Sequence, residues 1–250
     1  MIKLVTLITK FIVVALTALL FASCNHNFKV DGFGKSITGS GHITTQNRNI
    51  KGNFKSITVS NAIELVVEQA DFTEVIVEAD DNLQKGIITK VENGVLIIES
   101  EYNNFINVKS RKVFVKMPVI DVLEASSASS IRSANTLKGD NISLNSSSAS
   151  SIVVAVESDY LNIDSSSGSS ITLNGLALKF KASSSSGSSI NAYALPANEI
   201  IADASSGSTI EINPVVSLTA EASSGSNINY NSNPKTVQKS ESSGGSVSKE

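Results

Sequence analysis

Asp164, Asp203 and Glu221 are the residues of this chain whose type and spacing come nearest to chemistry. Each stands seven residues ahead of the apolar residue that closes one copy of a recurring serine-rich phrase. Stacking the copies would bring all three to one outer face. Carboxylates gathered on such a face could divide acid and base duties on a polysaccharide, as in lyases and hydrolases. The plainer account is a charged, solvated face that also discourages sideways association. A calcium site on the same column lacks the dense Asp and Gly spacing of calcium-binding repeats. Tyr160 and Tyr193 fall at odd offsets in their repeats. Both are expected to be exposed, where a ring could stack on a sugar.

Counting removes most other chemistry. The two histidines, His26 and His42, both precede the folded body, so no His-based dyad, zinc site or Ser-His-Asp set can assemble within it. No Gly-rich loop precedes a helix, which removes the nucleotide-binding motifs. The net charge is −3 and no basic stripe is present, which argues against nucleic acid. No catalytic residue, metal ligand or cofactor follows from the sequence. What remains is a chain that acts by presenting a surface, to a glycan or to an envelope protein. A structural or regulatory envelope role is the alternative, and a polysaccharide lyase or hydrolase stands behind that.

The N-terminus supplies an address. Lys3 and Lys10 precede an apolar run from Phe11 to Phe21, and Ala22-Ser23 leads directly into Cys24, the single cysteine. A basic start, a short apolar core and small residues at the cut describe a secretory signal. The run is too short for a good membrane span. The Cys24 context resembles the lipobox of bacterial lipoproteins, which makes Cys24 the lipid attachment point and the membrane a partner. Residues 1–23 are thus expected to be a leader, 24–50 a lipidated tether with a first extended segment, and 51–250 the body. The expected location is the outer membrane, facing the periplasm or the cell surface. With one cysteine no disulfide can form within the chain.

The body must position the candidate residues with strands. The whole chain is 41% hydrophobic but only 5% aromatic, which suits short strands of Ile, Val and Leu. Alternation runs through Ile57, Val59, Ile63, Leu65 and Val67 and resumes at Val75 and Val77. Ile88 to Ile98 reads as a hairpin across Asn93-Gly94. Asp80 to Gly86 has room for one helical turn, and an alternating run from Lys112 to Met117 stops at Pro118.

The repeats close on Ile131, Ile152, Ile171, Ile190, Ile210, Ile228 and Val247, at steps of 18 to 21 residues. With the closing residue as position 0, position −10 holds Ile142, Leu161, Phe180, Ile200, Leu218 and Val237. Position −8 holds Leu123, Leu144, Ile163 and three alanines, and position +2 includes Val154, Leu173, Ile212 and Tyr230. Even offsets share one face of a pleated strand. One repeat cannot bury that face alone, whereas stacked repeats make continuous apolar columns. The expected fold is all-β, a parallel β-helix of 18–21 residues per coil with an antiparallel hairpin in its N-terminal part. The right-handed form is preferred because parallel crossovers take that hand. A left-handed helix of hexapeptides would need a six-residue sub-period, which is missing. Position −3 is always Ala or Gly, suggesting a corner with little room for Cβ. Serines at −4 and −2 point inward if the strand runs unbroken, and outward if the corner changes its phase. An unpaired end coil would invite end-to-end contact.

Several segments together carry a family likeness. Gly39-Ser40-Gly41-His42-Ile43 leads into Phe54-Lys55-Ser56-Ile57-Thr58-Val59, then Glu78-Ala79-Asp80-Asp81-Asn82-Leu83 and Asn93-Gly94-Val95-Leu96-Ile97-Ile98. Asn233-Pro234-Lys235 and Ser242-Ser243-Gly244-Gly245-Ser246 close the series. From about Gly39 to Glu250 this resembles the head GIN domain family (DUF2807) of bacterial envelope proteins. The resemblance implies a β-helical lipoprotein of Bacteroidetes-like bacteria with an adhesin role and no catalytic motif.

Overall fold

A computed structural model describes residues 34–250 and is nearly all β. The expected leader, Cys24 and His26 lie outside the described residues. The chain begins with Lys35–Thr38 (β1), Ile43–Asn47 (β2), Ser56–Val59 (β3), Glu64–Gln69 (β4) and Glu74–Asp80 (β5). A single 3-10 turn, Asp81–Leu83, follows where one helical turn was expected. Ile87–Glu92 (β6) and Val95–Ser100 (β7) form the expected antiparallel hairpin. Its turn residues Asn93 and Gly94 take φ of 51° and 78°, which these two residue types accept at little cost. Tyr102–Ile106 (β8), Arg111–Met117 (β9) and Val122–Ala125 (β10) lead into five long strands. These are Ser130–Ser146 (β11), Ser151–Ser165 (β12), Ser170–Ser184 (β13), Ser189–Ala204 (β14) and Thr209–Ala222 (β15). Asn227–Tyr230 (β16), Thr236–Glu241 (β17) and Ser246–Lys249 (β18) complete the last coil.

From β10 onward every pairing is parallel, and like positions meet, giving a β-solenoid of about seven turns. Ile131, Ile152, Ile171, Ile190, Ile210, Ile228 and Val247 stand in direct register. So do Ile142, Leu161, Phe180, Ile200, Leu218 and Val237. All but Val237 are buried. Each buried Ile or Leu contributes about 1.5–3 kcal/mol. Two outward residues in succession break the alternation at Asp159–Tyr160, Leu178–Lys179, Asn198–Glu199 and Val215–Val216. There each coil turns a corner and presents a fresh face.

The serine phrase makes another corner, and its geometry corrects one expectation. Positions −4 and −3 both adopt left-handed φ in every copy, for example Ser148 at 53° and Ala149 at 60°, or Ser186 at 54° and Gly187 at 69°. The N–H at −2 closes the turn onto the carbonyl at −5, as from Ser150 to Ser147 at 3.2 Å. This is the pattern of a type I′ turn. Position −3 is small because of its backbone angle and not because space is short: a Cβ added at Gly187 meets nothing within 4 Å.

The corner also separates the two serines. Position −4 faces solvent, while Ser129, Ser150, Ser169, Ser188, Ser208 and Ser226 at −2 are buried. Each buried hydroxyl reaches the coil before it. Ser150 donates to the Ala125 carbonyl at 2.8 Å and Ser169 to the Ser146 carbonyl at 2.7 Å. Ser150 Oγ also accepts the Ser147 N–H at 3.0 Å and lies 2.8 Å from Ser146 Oγ. A hydroxyl has one hydrogen and two lone pairs. With that hydrogen on Ala125, Ser146 must be the donor in the pair, and Ser150 is saturated.

The two ends differ. The stacking order departs from chain order at the first: β3 lies between β7 and β10, and β4 between β9 and β11. Beyond β9 the sheet turns antiparallel through β5 and β2, and β1 pairs parallel with β8. The segment from 35 to 47 therefore pairs with the body instead of hanging free of it. At the other end the apolar columns receive charges: Lys239 follows Ala220 and Glu241 follows Ala222 in register. Ser246 bonds back to Ser226, so the N–H and carbonyl of Val247 face the open end. Lys239 Nζ donates to that carbonyl at 2.8 Å, and that N–H donates to the Glu241 carboxylate at 2.7 Å.

Candidate functional site

The terminal halves of β11 to β15 form one open sheet face, and its outward positions lie in three columns. Asn145, Asp164, Ser183, Asp203 and Glu221 align in one column. Asn162, Lys181, Ile201 and Thr219 align in the next, and Tyr160, Lys179, Glu199 and Ser217 in the third. Asp164, Asp203, Glu221 and Tyr160 are all exposed, so four of the five candidates share a face. Asp203 and Glu221 are one rung apart, about 4.8 Å, whereas Ser183 intervenes between Asp164 and Asp203.

Tyr160, Lys179, Glu199 and Ile201 line a shallow depression of about 370 Å³. Lys179 Nζ lies 5.7 Å from the Tyr160 ring centre and 3.4 Å from Glu199. Tyr160 is 53% exposed and Ile201 54%. The result is a flat patch with an aromatic plane, an ion pair and amides, suited to many weak contacts. Lys179 and Glu199 were missed from the sequence. Aligning position −11, where Tyr160 stands, would have found them.

Tyr193 departs from its expected exposure. It lies on β14 away from the Tyr160 face and is half-buried, with its hydroxyl oxygen closed from solvent and without a well-aligned hydrogen-bond partner. Burial, with the Glu250 and Glu211 carboxylates near, pushes its phenol far above the usual range. Tyr230, read as core from its parity, is buried. Among the described residues no group of three or more His, Cys, Asp or Glu is placed to hold a metal.

The most deeply placed charge is structural. Asp80, at the end of β5, is fully buried. Its Oδ1 accepts the N–H groups of Lys109 and Ser110 at 2.9 and 3.0 Å, and its Oδ2 that of Gly41 at 2.9 Å. Burial alone would raise its pKa; the backbone donors outweigh that and hold it below the usual carboxylate range.

The stretch that holds the hairpin and all but the last of the serine corners matches a known family model, the putative auto-transporter adhesin, head GIN domain, over residues 53–234. The chain belongs to the head GIN domain family. A comparison with curated proteins finds no match. Among solved structures, a putative adhesin from Bacteroides fragilis shares 20% identity at a TM-score of 0.80, with 86% of this chain and 100% of that one covered. A putative lipid binding protein from Parabacteroides distasonis shares 19% at 0.72, covering 86% and 100%. A putative adhesin from Parabacteroides merdae shares 20% at 0.68, covering 86% and 99%. At these identities the likeness is one of fold.

Proposed function

We propose that this head GIN domain protein is an adhesin-like module of the cell envelope that binds through its open sheet face without catalysis. The observation that carries the reading is the register placing Tyr160, Asp164, Asp203 and Glu221 on one flat, solvent-facing surface. Such a surface engages a repeating ligand through many contacts, each of small net worth. Paired carboxylates of a glycosidase flank the scissile bond, with one acid raised by an apolar setting; here the acids lie open on a plane. The family and the adhesins among the structural neighbours support the same reading. Lipid on Cys24 would tether the module to the outer membrane, facing the periplasm or the surface.

The test is a glycan-array and whole-cell binding assay on residues 25–250, with reducing-end release followed in parallel. Binding that Tyr160→Ala lowers, without release, supports the reading. Release of reducing ends overturns it and turns attention to Asp164, Asp203 and Glu221. The anchor is tested separately: Cys24→Ser should abolish metabolic labelling with a fatty acid and move the protein to the soluble fraction. Retained labelling rules out Cys24 as the lipid site.

A further inference from the structure

A further depression lies away from that face, where the end of β2 meets the loops after β4 and β9. It has a volume of about 770 Å³, and Arg48 lines it. The Arg48 guanidinium is fixed in advance: Nη2 lies at hydrogen-bond distance from Gln84 Oε1, 3.2 Å, and also donates to the Gln84 carbonyl. Gln84 is buried and in turn donates to the carbonyls of Thr44 at 2.7 Å and Val77 at 3.2 Å. Arg48 Nε is shut off from solvent and has no acceptor. Arg48 has no salt-bridge partner among the described residues. Desolvation lowers its pKa, so an anion nearby would relieve it.

The rest of the cleft is complementary to a sugar. Glu74 is its one acid, and Lys116 already neutralises it at 3.3 Å. Lys55 adds a second cation to the lining. Phe72 at the rim is 54% exposed, an unusual position for an apolar ring, with Lys116 Nζ 5.2 Å from its centre. Asn47, Asn49 and Asn53 supply amides. An aromatic plane under a sugar's C–H face, amides for its hydroxyls and a fixed cation for its carboxylate make a consistent set.

We infer that this cleft is a binding site for carboxylated saccharides, with Arg48 taking the carboxylate and Phe72 the ring face. The site goes beyond the proposed sheet-face function and does not require that face to bind anything. The test is titration calorimetry on the full chain in detergent, with galacturonate and glucuronate oligomers against their neutral galactose and glucose counterparts. A preference of about tenfold or more for the carboxylated series is expected, falling as salt rises. Arg48→Gln should erase that preference and Arg48→Lys should restore only part of it, because a single ammonium cannot keep the Gln84 contacts and also meet the ligand. If Arg48→Gln fails to fold, Lys55→Gln and Phe72→Ser, both at the rim, should each weaken binding several-fold. Equal binding of both series, absence of binding, or binding that all these variants leave unchanged would overturn the site. Tyr160→Ala should leave this binding intact. A loss there would assign the sugar to the sheet face instead.

Discussion

Single residues in this protein are held by backbone geometry as much as by side-chain contacts. Asp80 shows this: three backbone N–H groups converge on one buried carboxylate. Asp80→Asn turns an amide donor toward those donors and should cost about 1–3 kcal/mol in denaturant unfolding. Because its folded pKa is depressed, its contribution is complete above the unfolded value of about 3.9. It is lost as pH falls through the folded value. The variant should therefore flatten the acid limb of the stability curve, and an unchanged limb would show that other carboxylates govern it. Ala149 makes the opposite case. At φ 60° its Cβ is strained by about 1–2 kcal/mol, so Ala149→Gly should stabilise by roughly 0.5–1 kcal/mol after the added chain entropy. Gly175 tolerates no such exchange, since a Cβ there would lie 1.9 Å from the Val156 carbonyl oxygen. Gly175→Ala should unfold the surrounding coils.

At the level of the coil, the apolar columns and the buried serines do different work. Ile171→Asp places an unpaired charge in the position-0 column and should abolish cooperative folding. An unchanged melting temperature would contradict the inward register. Ser150→Ala strands the Ser146 hydroxyl, while the Ser147 N–H keeps the Ala125 carbonyl, and should cost about 1–3 kcal/mol. The columns were legible because their spacing is regular and their residues apolar. The sides taken by the serines were not, since the answer depends on two left-handed residues that Ser disguises at position −4. An additional corner at Ser60–Leu65 escaped notice altogether. Asn61 and Ala62 there take φ of 60° and 58°, but Ile63 stands where the other coils carry Ser and is buried. The insertion of β3 and β4 between later strands was also illegible, because a local pattern carries no stacking order. Of the candidate site, Asp164, Asp203 and Glu221 could be read from one offset. Tyr193 could not, because its burial next to Glu250 depends on a distant part of the chain.

Taken whole, the unit from Lys35 to Glu250 is a stack closed differently at each end. The antiparallel strands β2 and β5 terminate it on one side. On the other, Lys239 and Glu241 occupy the Val247 hydrogen-bonding groups that a further coil would use. The open end expected to invite contact therefore carries its own guard, in the manner of charged edge strands elsewhere. Replacing both with Ala should expose that edge and produce end-to-end assemblies, detectable as a concentration-dependent rise in mass by light scattering. A variant that stays at the wild-type mass at every concentration would show that the clasp guards nothing.

The in-register ladder also determines how the protein yields to force. Its rungs bond along the stack axis, so tension applied at the C-terminus loads the last rung before the others. Each coil gives a rise of about 4.8 Å when packed but roughly 60 Å of contour when stripped away. Each coil peeled therefore exchanges its packed height for more than ten times that length of extended chain, in successive steps. Under load, the stack behaves as an extensible spring that gives up length before it gives up its hold.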